Sequence, residues 1–142
     1  MENNIQSTEN LGGTGYLVVR VATANGAIPL EGARVTVRGG EPSNKDFYLT
    51  ARTGVSGLTE KISLPAPRKI LSESPNGSNP YALYSIDVFY DGYGDLFFVN
   101  VPIFDTITAV QGANMIPKVD NEYPDSFAPY EGVVIEGENP EL

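Results

Sequence analysis

The chain has 142 residues, a formal net charge of −9 at pH 7, and no Cys, His or Trp. That length supports a single hydrophobic core. The missing residue types exclude disulfides, thiolate catalysis, Cys-built zinc sites, the commonest general base and the strongest aromatic platform for sugars or bases. The negative balance argues against nucleic-acid binding through phosphates and against anionic membrane surfaces.

The chain opens with MENNIQSTENLGG, which is polar and carries Glu2 and Glu9. It has no basic n-region and no apolar run, so it does not read as a secretory signal, and no later stretch approaches a membrane span. The expectation is synthesis in the cytoplasm without a signal peptide. The chain divides into a polar leader at 1–14, a body at 15–118 and an acidic tail at 119–142.

Seven strands are expected in the body, because apolar residues alternate with polar ones at a period of two. In 15–23, Leu17, Val19 and Val21 point one way, while Tyr16, Val18 and Arg20 point the other. In 33–38, Ala33, Val35 and Val37 oppose Arg34, Thr36 and Arg38. The third strand, 47–52, places Phe47, Leu49 and Ala51 on one face. The fourth, 58–64, places Leu58, Ile62 and Leu64 together. The fifth, 81–90, alternates Tyr84, Ile86, Val88 and Tyr90 with Ser85, Asp87 and Phe89. The sixth and seventh are 96–103 and 106–116. Breakers separate them: Asn25-Gly26, Gly39-Gly40, 54–57, 65–67, 75–80 and 92–94. Seven short strands at this spacing predict an all-β, seven-stranded antiparallel β-sandwich.

Several strings resemble carboxypeptidase-regulatory-like domains, which are transthyretin-like sandwiches related in shape to the Ig-like B-type repeats of collagen adhesins. These are PLEGARVTV at 29–37, TGVSGL at 53–58 leading to Leu64-Pro65, and YSIDV at 84–88 followed by Gly92-Tyr93. A closer resemblance covers about 15–117. It rests on LPAP at 64–67, PYALYSI at 80–86, VPIF at 101–104 and NMIP at 114–117. These are similar to an N-terminal sandwich domain of spore cortex-lytic and peptidoglycan-binding proteins of anaerobic spore-formers. There the domain precedes a catalytic or wall-binding domain. Here an acidic tail follows instead, so lytic activity is not carried over.

Other constellations favour structural readings. Asp91-Gly-Tyr-Gly-Asp95 brackets a Gly-rich turn with two carboxylates and is a weak calcium candidate, but Asp-Gly is also a hairpin turn. Isopeptide crosslinks of the adhesin kind need a lysine on the first strand. Arg20 stands there, and the lysines are Lys45, Lys61, Lys69 and Lys118. No Ser-x-x-Lys spacing occurs. No catalytic residue, metal site or cofactor is expected. The rings of Tyr16, Tyr48, Phe89 and Phe97 lie on the faces opposite the apolar ones. They are candidates for a partner or ligand patch, or for cross-strand pairs.

The tail holds seven carboxylates after Lys118 and no Lys or Arg, so the body itself is nearly neutral. Acidic tails ordinarily solubilise. Within this one, Gly132-Val133-Val134-Ile135-Glu136 reads as a short strand that could complete a sheet edge on this molecule or on a neighbour. The expectation is a non-catalytic structural or interaction module, a homo-oligomer or filament assembled by terminal strand addition, at a spore or cell surface. The alternative is a stand-alone accessory domain that binds cell-wall glycan, spore components or a cortex-lytic enzyme. Neither nucleic acid nor membrane is an expected partner.

Overall fold

The computed structural model describes residues 12–69 and 81–119, together with the main chain of 132–136. Nine strands occur among them: β1 (Gly12–Thr23), β2 (Ile28–Pro29), β3 (Arg34–Gly39), β4 (Tyr48–Arg52), β5 (Ile62–Pro67), β6 (Tyr81–Phe89), β7 (Asp95–Phe104), β8 (Thr108–Asn114) and β9 (Gly132–Glu136). A 3-10 turn at Pro42–Asn44 sits between β3 and β4.

The strands form two sheets. In the first, β1 pairs antiparallel with β5 and β2 and parallel with β8. Tyr16 and Leu17 have partners on both β5 and β8, and Ala22 on both β2 and β8. So β2 and β5 share one edge of β1, and β8 takes the other. The second sheet has the order β4-β3-β6-β7-β9. Its first four strands are antiparallel, and β9 joins β7 in parallel.

The architecture is all-β and two-layered, as the alternation implies, but its sheets are mixed. The expected purely antiparallel pairing is corrected at β8 and β9. Alternation reports which face of a strand is buried and carries no information about its direction. Two strands lie outside the seven expected. The two-residue β2 is hidden inside what reads as a turn, and β9 belongs to a sheet of the sandwich.

The core lies between the layers. Leu17, Val19 and Val21 of β1 are fully buried, as are Ala33, Val35 and Val37. Tyr84, Ile86 and Val88 of β6 are buried with them, and Phe47, Leu49, Ala51 and Tyr90 pack partly against the same cluster. One expected inward residue is misplaced: Leu58 is 39% exposed. The stretch 58–61 is not ladder but an isolated bridge, Arg20 to Leu58. The Val19 N–H donates to the Thr59 hydroxyl at 3.0 Å, and the Thr59 N–H returns to the Val19 carbonyl. A buried threonine thus replaces regular pairing. Thr53 does the same beside β3, accepting from the Ala33 N–H at 2.9 Å and donating to the Leu30 carbonyl at 2.6 Å.

Tyr84 ties the layers together. Its ring stands in the core, edge-on to Phe47 with centroids 5.5 Å apart, and its hydroxyl donates to the Pro65 carbonyl of the opposite sheet at 2.5 Å. Burial pushes its pKa up from 10.0 to about 12, although the nearby Asn44 side chain opposes the shift. A phenol raised in the folded state stabilises below its unfolded pKa and loses that contribution as pH climbs through the folded one. Tyr84→Phe should therefore remove the highest-pH step from the phenolate absorbance titration. At neutral pH it should cost about 1–3 kcal/mol in denaturant melts, because the Pro65 carbonyl loses its donor.

Candidate interaction surfaces

Three features outside the core bear on function: the tail strand, the outer aromatics and the Asp-Gly turn.

The tail strand lies on the free edge of β7. The register runs from Asp95–Gly132 through Phe97–Val134 to Val99–Glu136. The candidate residues Val133, Val134 and Ile135 therefore sit opposite Leu96, Phe97 and Phe98. The body already delivers the chain to this place. The Gly94 N–H donates to the Ile116 carbonyl and the Lys118 N–H to the Gly92 carbonyl, which anchors 116–118 beside the start of β7. Thirteen residues, 119–131, separate that anchor from β9.

The four outer rings do not form one patch. Tyr16 is on the first sheet, half-buried, with the Lys61 ammonium 5.1 Å from its ring centre. Tyr48, Phe89 and Phe97 are on the second sheet. Tyr48 is 64% exposed and carries the Arg38 guanidinium 5.3 Å from its centroid. Phe89 is half-buried under Arg34 at 4.7 Å. Register explains both pairs, since Arg38 faces Tyr48 across β3–β4 and Arg34 faces Phe89 across β3–β6. Each is a cation–π contact of the kind worth about 0.5–1 kcal/mol at an exposed site.

Between the two arginines lies a row that sequence reasoning missed. Thr50, Thr36, Asp87 and Phe97 are successive cross-strand partners on the outer face. The Thr36 and Thr50 hydroxyls are 3.5 Å apart. Asp87 Oδ1 is buried and has no hydrogen-bond partner among the described residues. Burial raises the Asp87 pKa first and the Asp95 charge raises it further, while Arg38 and Arg34 pull it down without cancelling the rise. The alternation places Arg34, Arg38 and Asp87 outward, but only the register between strands brings them together.

Asp91 and Asp95 are separated by a hairpin turn. The Tyr93 N–H donates to the Tyr90 carbonyl at 3.0 Å, and Gly92 has φ of 87°, the left-handed value that a type II turn needs at its third residue. Asp95 then begins β7. Among the described residues no group of three or more acidic, His or Cys side chains gathers where a metal could sit.

No family model matches the chain, and no curated protein matches it. Solved structures do. The Bacillus anthracis TIE protein aligns with a TM-score of 0.50 at 17% identity, over 74% of this chain and 17% of that one. Wild-type catechol 1,2-dioxygenase of Acinetobacter radioresistens aligns with a TM-score of 0.51 at 15% identity, over 94% of this chain and 60% of that one. The chain thus spans less than two thirds of either protein. At such identities the likeness is one of fold: this chain shares a β-sandwich with parts of larger proteins.

This buried carboxylate gives a test. A folded pKa above the unfolded one means that the folded state holds the proton more tightly, so ionised Asp87 destabilises the fold at neutral pH. Asp87→Asn should raise the melting temperature at pH 7. Its advantage over the parent should shrink as pH falls toward the ordinary carboxylate range and vanish below that range, where Asp87 is protonated in both states.

Proposed function

We propose that the protein is a non-catalytic interaction module that joins copies of itself by strand addition at the β7 edge. One observation carries this reading: a tail strand, set apart by thirteen residues, completes a sheet in parallel register. An added strand gains affinity from main-chain bonds that do not depend on which copy donates it. With a long enough connection, the same pairing closes within one molecule or between two, which is the basis of domain swapping. Glu131 and Glu136 flank the apolar triplet and oppose indiscriminate pairing.

The same reading keeps the finer description of the sandwich as transthyretin-like and Ig-like, on the strength of its carboxypeptidase-regulatory-like strings. It keeps a spore or cell-surface setting, with assembly into a filament. The absence of His and Cys from the whole chain supports a role without catalysis. A second reading, an accessory domain for wall glycan, is favoured by the exposed Tyr48 ring and the Arg38 guanidinium over it.

Replacing Val133 and Val134 together with proline removes a main-chain donor facing β7, whichever of the two points that way. In light scattering and negative-stain microscopy the intact chain should form large ordered species as concentration rises. The double proline variant should keep a cooperative melt and lose them. A parent that scatters as a strict monomer at high concentration and sediments with peptidoglycan would favour the glycan reading instead.

A further inference from the structure

The structure also points to a second contact, independent of the tail strand. We infer that β8 is the self-complementary edge of a two-fold dimer, in which two copies pair β8 antiparallel about Gln111.

The edges of the two sheets are not alike. Proline marks the β2–β5 edge at Pro29, Pro65 and Pro67; β4 ends in Arg52; β9 is fenced by Glu131 and Glu136. Charge and proline are the usual guards of a sheet edge. Residues 106–116, which contain β8, have neither. Among the described residues β8 pairs only with β1. For a chain of charge −9, this uncharged edge is where two copies can approach with least repulsion.

The main-chain directions are set by the β1 ladder. The Ile107 carbonyl accepts from the Tyr16 N–H, and the Met115 N–H donates to the Ala22 carbonyl. Odd-numbered residues of β8 therefore turn their amides toward β1. Thr108, Val110, Gly112 and Asn114 turn theirs outward. The Gln111 side-chain amide already folds back onto the outward Gly112 carbonyl, at 3.1 Å.

Gly112 identifies the occupant. It lies inside a strand, where glycine weakens pairing unless another backbone or a ligand comes close. Its own molecule does not need it: a Cβ built there meets nothing within 4 Å, and its φ is not left-handed. A recess of about 390 Å³ opens over it, lined in part by Arg20, Asn25 and Asn114. A two-fold axis at Gln111 sets Val110 of one copy against Gly112 of the other, and Thr108 against Asn114. These are the four outward residues, so each pair exchanges both main-chain bonds. The Val110 side chain, 60% exposed in the single molecule, then covers the place where Gly112 has none. Gln111 meets Gln111 as a non-hydrogen-bonded pair, whose close approach suits a disulfide.

The test is sedimentation equilibrium on the full chain carrying Val133→Pro and Val134→Pro, so that tail exchange contributes nothing. The species expected is a dimer that dissociates on dilution. Adding Gly112→Val should give a monomer with an equal or higher melting temperature, because the monomer has room for the side chain. Adding Gln111→Cys should give a covalent dimer on mild oxidation through the only thiol present. A monomer at every concentration, a dimer that survives Gly112→Val, or a dimer that Gln111→Cys fails to crosslink would each overturn the proposal. Large species that persist despite the two prolines would count against the tail reading alone.

Discussion

The first sheet hangs on β1. Among the described residues, β2, β5 and β8 are each bonded to β1 and not to one another. Even-numbered amides of β1 face β8, and odd-numbered ones face the other edge, where Thr59 and Gly57 fill in between β5 and β2. The same strand contributes Leu17, Val19 and Val21 to the core, all fully buried. Burying three such side chains is worth about 1.5–3 kcal/mol each before entropy is counted. One strand therefore supplies both the hydrogen-bond spine of a sheet and much of its apolar face.

That dependence leaves the periphery available. Strands on the outside of a two-sheet sandwich expose unpaired backbone, and each must be guarded, covered or paired. Here the edges are not all treated alike. Prolines guard the β2–β5 side. A strand from the tail covers β7. The β8 edge has no guard in its own sequence. The two functional proposals are readings of the second and third of these solutions, and they use different strands in different sheets. If both contacts form, two-fold pairing at β8 would alternate with strand exchange at β7, which extends into a chain of subunits.

Much of the architecture is legible in the sequence. Seven alternating runs mark β1 and β3 to β8 to within a few residues, and the alternation assigns the buried faces of β1, β3, β4 and β6 as the structure has them. The run at 58–64 shows how the pattern misleads. Pro65 and Pro67 look like a terminator, yet they lie within β5, because an edge strand needs no donor on its outer side. Leu58 looks inward by spacing but faces out, since the stretch before Ile62 is a bridge rather than a strand. Direction is not legible at all. Nothing in Thr108–Asn114 says that it runs parallel to β1. The outer-face row of Thr36, Asp87 and Phe97 and the Arg38–Tyr48 and Arg34–Phe89 stacks arise from register, which is a relation between strands rather than a property of any one of them. The tail strand is legible as three apolar residues fenced by glutamates; that it lies on β7 is not.

Residue-resolved amide hydrogen exchange at low and high protein concentration tests the account most directly. The amides of Ala109, Gln111 and Ala113 should be protected at both concentrations, because they are bonded to β1. Those of Val110, Gly112 and Asn114 should exchange freely in dilute protein and become protected as concentration rises. Fast exchange of the odd-numbered amides, or even-numbered amides that stay unprotected however concentrated the protein, would contradict the picture of a β1-anchored sheet with an edge open to a second copy.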